Sequence, residues 1–549
     1  MLAPLRSLDA SMTPPRAPRW TAGVAAALAL VLALAWRFNF LVDDAFISFR
    51  YARHLAQGHG LVWNLGENPP VEGFSNFLWV LLCAGIDALG ADVLVWSRVT
   101  SVLCALALTW LVARCSSARA DDSSTSWSTL MFACLPSIGV WATGGLETMA
   151  FCLAVFGCFE ALVRRGATCA PIRAALFAAA AVLLRADGFV WLACALTSAA
   201  LVRSLDARAE ASSETGAQAS PWRALRPVFA AAGAGALVLG AYLAWRYSYF
   251  GEWGPNTARV KVHLGALALE RGSKYVASLC SSVLTVPLFL ALALWALRRD
   301  TTRLAAPALL FVGASWSYVA LVGGDWMMMH RMLAPSLAFA ALGGAAGLAA
   351  LSSTRARAGV GVLGCVLALA PGFDLHLAPR ALRELTHFRW SQEYRSEHAM
   401  WRKGVDDIEE WIAIGRALAL HTRPGESMAL GNIGAFGYFA ENLVVHDQHG
   451  LTNKAPLVAA QPDGRGMPGH DFKVDPAAFA DLELTYLNAR IVAADQPYAE
   501  IPENWREVDA AGRVRPNAKA LERFEFLEKP LPPEQGFAPG RVLLLIRLR

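Results

Sequence analysis

The stretch Leu34-Ala35-Trp36-Arg37-Phe38-Asn39-Phe40-Leu41-Val42-Asp43-Asp44-Ala45-Phe46-Ile47-Ser48-Phe49-Arg50-Tyr51-Ala52-Arg53-His54-Leu55 ends an apolar run and then turns acidic and amphipathic. The run begins near residue 21 and has the length, about 20 residues, that an α-helix needs to cross a bilayer. Beyond the acidic pair, Ile47, Tyr51 and Leu55 recur at i, i+4 and i+8, with Arg50 and His54 on another face as candidates for substrate binding. That spacing predicts an amphipathic helix lying along the membrane surface, ended by Gly58 and Gly60. Asp43 and Asp44 therefore stand where a spanning helix leaves the membrane.

The same pattern of apolar runs extends outward over most of the chain. Of 549 residues, 55% are hydrophobic and 17% charged, against about 25% charged in an ordinary soluble domain. These values exclude a single soluble domain, a disordered chain and a disulfide-rich secreted module. The net charge of +5 is small for the length, and no Lys/Arg block of nucleic-acid type occurs, so nucleic-acid partners are set aside. The ten cysteines form no CxxC pair, and none lies beyond Cys365. Neither a disulfide framework nor a cysteine metal site is expected.

Long apolar runs occupy 21–40, 93–113, 127–143, 146–163, 227–248, 275–297, 303–322, 333–351 and 359–371, with shorter ones near 77–90, 174–184 and 188–203. Residues 373–549 carry polar and charged residues throughout and hold no spanning run. The expected fold class is a polytopic α-helical membrane protein of about eleven spans over 1–372, followed by a soluble α/β domain over 373–549. Arg6, Arg16 and Arg19 precede the first run, which predicts a cytoplasmic N-terminus. The other basic loops hold Arg114 and Arg119; Arg164, Arg165 and Arg173; Arg203, Arg208, Arg223 and Arg226; Arg298, Arg299 and Arg303; and Arg355 and Arg357. All fall on the cytoplasmic side if 77–113 makes one net crossing, with 77–90 a half-helix or re-entrant segment. The loops 41–76, 144–147, 185–188, 250–274 and 323–332 and the C-terminal domain then face outward. An alternative reading makes 21–37 a signal peptide.

The polar clusters lie on that outer side. Asp43 or Asp44 can cap the helix that follows. The same acids can take a proton from an acceptor hydroxyl or hold a divalent cation, Mg or Mn, against a phosphate. Glu72, Ser75 and Asn76, in the turn-rich end of the first loop, can line a sugar pocket. Glu147 in Gly144-Gly145-Leu146-Glu147-Thr148 and Arg185 in Arg185-Ala186-Asp187-Gly188 sit at helix ends. Ionisable residues at membrane depth are costly and mark functional candidates. In Gly323-Gly324-Asp325-Trp326-Met327-Met328-Met329-His330-Arg331, the residues Asp325, His330 and Arg331 stand together on an apolar surface. Arg331, like Arg185, suits a phosphate. The C-terminal part has apolar runs at 428–430, 443–445, 491–494 and 542–546, which predict strands among helices. His446 and Asp447, in Val444-Val445-His446-Asp447-Gln448-His449-Gly450-Leu451-Thr452, are candidates for glycan binding; Gly469-His470 follows later.

The runs Asp43–Arg53, Gly58-His59-Gly60-Leu61-Val62-Trp63-Asn64 and Val71-Glu72-Gly73-Phe74-Ser75-Asn76-Phe77-Leu78-Trp79 resemble the opening of the actinobacterial terminal arabinofuranosyltransferases. Related polyprenyl-phosphate-sugar-dependent enzymes of the GT-C fold share it. Gly145-Leu146-Glu147-Thr148, Gly323-Gly324-Asp325-Trp326 with Arg331 and Pro335, and Asp447 with Gly450-Leu451-Thr452 extend the likeness over most of the chain. The Met327-Met328-Met329 run departs from it in being more apolar. The resemblance implies a membrane glycosyltransferase with its site at the outer face and Asp43 and Asp44 in the catalytic role. The donor would be a sugar on a polyprenyl phosphate, such as decaprenyl-phospho-arabinofuranose, and the acceptor a cell-envelope glycan. The C-terminal domain would resemble a carbohydrate-binding module.

The residues are consistent with that chemistry, since a lipid donor keeps its phosphate at the headgroup plane and no GxGxxG follows a strand, as a nucleotide site of that kind requires. Three alternatives stay open. A polyprenyl-phosphate mannosyltransferase acting on protein or glycan differs only in its donor. A lipid-linked-sugar transporter would move lipid without making a glycosidic bond. A non-catalytic envelope scaffold would be indifferent to both aspartates.

Overall fold

The computed structural model describes residues 21–164, 170–211, 221–261, 264–299, 302–461, 465–480 and 482–549. Arg6, Arg16 and Arg19, which carry the expected placement of the N-terminus, and Arg165 and Cys169 lie outside the described residues.

The first two-thirds is helical. Among the described residues five helices are long and apolar enough to cross a membrane: Val93–Ser117, Gly188–Ala211, Trp222–Phe250, Met328–Ala349 and Thr354–Phe373. A sixth crossing forms if Ala266–Ser282 and Thr285–Ala296, bent by 91°, make one broken span. Shorter apolar helices are Ala22–Arg37, Phe77–Ala88, Thr148–Val163, Pro171–Leu184 and Ala305–Leu321. The Phe77–Ala88 helix has 12 residues and so reaches about 18 Å, well short of a ~30 Å hydrocarbon core. It is a half-helix that turns through 89–92 into Val93–Ser117.

Two apolar runs do not form single helices. The run 127–143 divides into Asp122–Ala133 and Pro136–Trp141. Pro136 has no amide to continue the ladder, and Leu135 before it is extended at ψ 122°. The run 275–297 breaks at Val283, whose φ of −121° and ψ of 81° leave the helical region.

The Met328–Ala349 segment is the hub, 89% buried against 22% for Trp222–Phe250 at the periphery. Its small residues permit that burial. A side chain at Gly347 would meet the Leu292 carbonyl oxygen at 2.5 Å, and one at Gly344 the Phe289 ring at 2.3 Å. Close backbone approach at small residues is how helices pack where lipid gives no hydrophobic drive. At one end of the bundle the basic loops share acidic partners: Arg114 and Arg173 on Glu160, Arg119 and Arg303 on Asp206, Arg357 on Asp121. The acidic clusters of the remaining loops gather elsewhere.

The C-terminal part opens with the helix Glu397–His421, capped by Ser396. Strands Ser427–Leu430 and Val444–Asp447 pair in parallel, with the short helix Gly434–Phe439 as their crossover. A three-stranded antiparallel sheet runs Asn488–Ala493, Arg541–Leu548, Phe524–Pro530. The four apolar runs read as strands are strands. Leu457–Ala459 pairs with Phe472–Val474, and Arg506–Val508 with Val514–Pro516.

The first loop forms its helix, Asp43–Ala56, but that helix does not lie on lipid. Ten of its residues, including Phe46, Phe49, Arg50 and Tyr51, are buried, because the C-terminal part covers it. Arg50 donates to the carbonyls of Trp63 (2.7 Å), Gly437 and Leu443 (3.1 Å) and to Asn64 (3.3 Å). The Arg53 guanidinium stacks 3.9 Å over the Tyr438 ring. Trp63 Nε1 and Asn64 Nδ2 both donate to the Val445 carbonyl at 3.1 Å, and Asn64 accepts from the Val445 amide at 3.0 Å. From the loop after the Trp222–Phe250 helix, Asn256 Nδ2 reaches the carbonyls of Gly450, Leu451 and Asn453 at 2.7–2.8 Å. Each such buried bond is worth about 0.5–1.5 kcal/mol, and leaving its groups unpaired would cost more.

Candidate functional site

The acidic pair is divided by its surroundings. Asp43 points into the C-terminal part, where its two oxygens accept from the amides of Gly434 (3.0 Å) and Ala435 (2.8 Å). One Asp does cap a helix, as the sequence allows, but it is the distant helix Gly434–Phe439 and not its own. Burial raises the Asp43 carboxyl to about pH 7, and those amides offset only part of the rise.

Asp44 turns the other way. It is partly exposed, with Lys261 Nζ 3.4 Å from Oδ2. Burial pushes its carboxyl up, but Lys261 and Arg331 overcome that and hold it below the usual carboxylate range. Asp44 is therefore ionised at neutral pH and not committed to a structural bond.

Four loops bring the remaining charges together. Glu147 accepts from Asn76 Nδ2 at 3.0 Å and faces two guanidiniums, Arg185 at 3.5 Å and Arg331 at 3.9 Å. Asn76 is itself held by Ser48. Arg331 also lies 3.5 Å from Asp325, and its Nε finds no hydrogen bond among the described residues. Arg185 makes two bonds to Asp187, at 2.8 and 3.1 Å, and Trp191 and Tyr318 complete the Asp187 carboxylate. Burial works against the Arg185 charge, yet Asp187 and Glu147 more than compensate, so the guanidinium stays protonated.

The Arg331 loop is wound unusually tightly. Gly323 and Gly324 have φ of +86° and +77°, and Met329 and His330, at +53° and +52°, share the left-handed region. Glycine takes that conformation freely, but for Met329 and His330 it costs about 1–3 kcal/mol each unless their surroundings hold them. Here Glu397 accepts from the Met329 amide at 2.7 Å, Ser137 donates to its carbonyl at 2.8 Å, and Trp141 donates to Met328 O at 3.2 Å. The three methionines that depart from the resemblance are all buried; they anchor the loop so that Arg331 projects from it.

Several predicted residues lie apart from this cluster. Arg50 is consumed at the junction described above, and His54 is buried with Nδ1 2.9 Å from the Val62 carbonyl. Glu72 pairs with Arg246 at 2.8 Å and accepts from Tyr242 at 2.8 Å, which fixes the loop to the Trp222–Phe250 helix. Ser75 is exposed beside it. His330 packs in the core against Tyr275 and Phe388, 3.2 Å from Ser278. Asp447 is fully buried, and its oxygens take the amides of His449, Leu451 and Thr452 at 2.6–3.1 Å. It shapes a turn and cannot reach a glycan. His446 is half-buried on its strand.

The cluster has members the sequence reading passed over. Lys261 ends the short helix Asn256–Lys261 and carries no motif. His449 and His470, from the C-terminal part, stand with ring centroids 4.7 Å apart, and His470 is 5.5 Å from the Trp326 ring. Among the described residues no three His, Cys, Asp or Glu side chains gather where a metal could sit. Asp44 faces Lys261, and Asp325 and Glu147 face Arg331. A divalent cation would stand against these cations, so the donor set does not fit Mg or Mn.

Residues 392–526 match a domain of unknown function (DUF8728). No curated protein matches the sequence. The structure is similar to ArnT from Cupriavidus metallidurans bound to undecaprenyl phosphate, with a TM-score of 0.53 and 13% identity over 95% of this chain and 97% of that one. The apo form of ArnT gives 0.52 and 14% over the same shares. The chain has the GT-C fold. The arabinofuranosyltransferase AftD from Mycobacteria is also similar, at a TM-score of 0.48 and 14% identity over 98% of this chain and 40% of that one. The cluster around Asp44 lies where loops of the membrane part meet the C-terminal part.

Proposed function

We propose that this protein is a membrane glycosyltransferase that moves a sugar from a polyprenyl phosphate to a cell-envelope glycan at the outer face of the membrane, with arabinofuranose as the sugar. The observation that carries the reading is the carboxylate of Asp44, paired with Lys261 at 3.4 Å and held ionised by the nearby charge of Arg331, just beyond the end of the first helix. The shared fold supports it, because ArnT was crystallised with undecaprenyl phosphate.

In this scheme Lys261 and Arg331 take the donor phosphate, whose lipid tail stays in the bilayer. Arg185 holds Glu147, and Glu147 in turn orients Arg331. The acceptor hydroxyl attacks the anomeric carbon, its proton passes to Asp44, and the C–O bond to phosphate breaks. Polyprenyl phosphate leaves with the electron pair. A carboxylate so placed also favours the oxocarbenium-like transition state, and preorganised cations stabilise the leaving phosphate. Asp43 supports the site by holding the C-terminal part against it.

The test uses purified protein in lipid, with radiolabelled polyprenyl-phospho-arabinofuranose and polyprenyl-phospho-mannose offered separately to an oligosaccharide acceptor. Label enters the acceptor from the arabinose donor, is lost in Asp44→Asn, and is unaffected by EDTA. Transfer from mannose alone would replace the sugar assignment. Lipid movement without transfer would replace the enzyme by a transporter.

A further inference from the structure

The charges around Asp44 are unevenly distributed. Lys261, Arg331 and Arg185 belong to the membrane part. Across from them the C-terminal part contributes His449 and His470, two rings 4.7 Å apart, with Trp326 5.5 Å from His470. The stretch bearing His470 is seated firmly. Arg271, from the Ala266–Ser282 helix, binds both oxygens of Asp471 at 2.6 and 2.7 Å and also reaches Gly323 O at 3.3 Å. One buried guanidinium thus ties the His470 segment to the loop that leads to Trp326 and Arg331. A side chain at Gly469 would come within 3.5 Å of the Lys261 stem, so this segment abuts the cationic half directly.

Both imidazoles are neutral at pH 7. Burial pushes His470 down to about 3, with His449 and Lys261 adding to the effect. Burial also lowers His449, and the Asp447 carboxylate offsets only part of it. A neutral imidazole offers one donor and one acceptor, the complement of a hydroxyl. Two polar atoms here, Trp326 Nε1 and His449 Nδ1, are closed off from solvent with no hydrogen-bond partner among the described residues. Buried polar groups left so are rare and call for a ligand or an ordered water.

We propose that His449, His470 and Trp326 form an uncharged polyol subsite, contributed largely by the C-terminal part, that binds the acceptor sugar. It rests on the proposed glycosyltransferase reading for the word acceptor, and on geometry alone for the subsite. The two halves divide the work. The cationic half suits a phosphate at the headgroup plane, and the neutral half, on the non-membrane side, suits a hydroxyl-rich ring arriving from water. An indole with two imidazoles fits the usual make-up of a small-molecule site, apolar surface with a few placed polar groups. The C-terminal part is then a wall of the reaction site.

The test is saturation-transfer NMR on the full chain in lipid nanodiscs, with methyl α-D-arabinofuranoside and methyl α-D-mannopyranoside as probes. Undecaprenyl phosphate binding is followed in parallel by tryptophan fluorescence. His470→Phe keeps the ring and removes the hydrogen bonds; His470→Gln restores a donor and an acceptor. The expected result is glycoside binding weakened about five- to tenfold in His470→Phe, the range of one or two lost hydrogen bonds. Binding recovers to within about twofold in His470→Gln, and undecaprenyl phosphate binding is unchanged in both. The proposal is overturned if wild type binds neither glycoside, if His470→Phe behaves as wild type, or if that variant weakens undecaprenyl phosphate equally. Glycoside binding that follows this pattern without any sugar transfer would leave the subsite standing and remove the glycosyltransferase reading.

Discussion

The carboxylate of Asp43 accepts from the amide of Ala435 at 2.8 Å, across 392 positions of chain. Its neighbour Asp44 meets Lys261 instead. Adjacent residues on a helix point about 100° apart, and here that angle sends one carboxylate to backbone amides of the C-terminal part and the other to a lysine.

Asp44→Asn should lower transfer about a hundred- to ten-thousandfold, the usual contribution of a positioned general base. Its melting temperature in nanodiscs should stay within about 2 °C of wild type, because Asp44 makes no buried structural bond. Retained turnover would move the base elsewhere.

Asp43→Asn tests the opposite role. The native state raises the Asp43 carboxyl from 3.8 to about 7, so the folded protein binds that proton more tightly than the unfolded chain. Its contribution is complete below about pH 4 and declines as pH rises toward 7 and beyond. Wild-type melting temperature should therefore fall between pH 5 and pH 8 by more than that of Asp43→Asn, measured by differential scanning fluorimetry. Equal slopes would separate Asp43 from this dependence.

Lys261→Met should shift the acid limb of the pH–rate profile upward. Lys261 helps hold Asp44 below its ordinary range, so its loss raises the carboxyl and protonates the base at higher pH. The Michaelis constant for the lipid donor should rise as well. A profile unmoved on the acid side would mean that Asp44 does not govern it.

Arg246→Met should destabilise by about 3–5 kcal/mol, since it strands the buried Glu72 carboxylate. The double variant Glu72→Met with Arg246→Met should recover most of that loss. Thermal unfolding of the three variants checks the cycle, and additive losses would show that the pair is not coupled.

Much of the cluster was legible in the sequence because membrane chemistry makes isolated charges conspicuous. Asp44, Glu147, Arg185, Asp325 and Arg331 each interrupt apolar surroundings; the structure pairs the last four with one another and sets Asp44 within reach of the Arg331 charge. Lys261 was not legible: it lies in a polar loop where one more lysine carries no signal. Arg50 and His54 misled for a related reason. Helical spacing showed their shared face, but the carbonyls that consume Arg50 come from 437 and 443. The run 127–143 reads as one helix by hydropathy alone, and Pro136 is the residue that should have divided it.

Asn64, Asn256 and Arg271 each send a membrane-side side chain into the backbone or carboxylates of the C-terminal part. That part is therefore not a transferable module. Exchanging it for the equivalent region of another GT-C protein would break these contacts unless the first loop, the Asn256 turn and Arg271 travelled with it. Divergence in acceptor preference would then arise by paired change on both sides of this seam, and a chimaera joined at residue 372 would inherit neither parent's specificity.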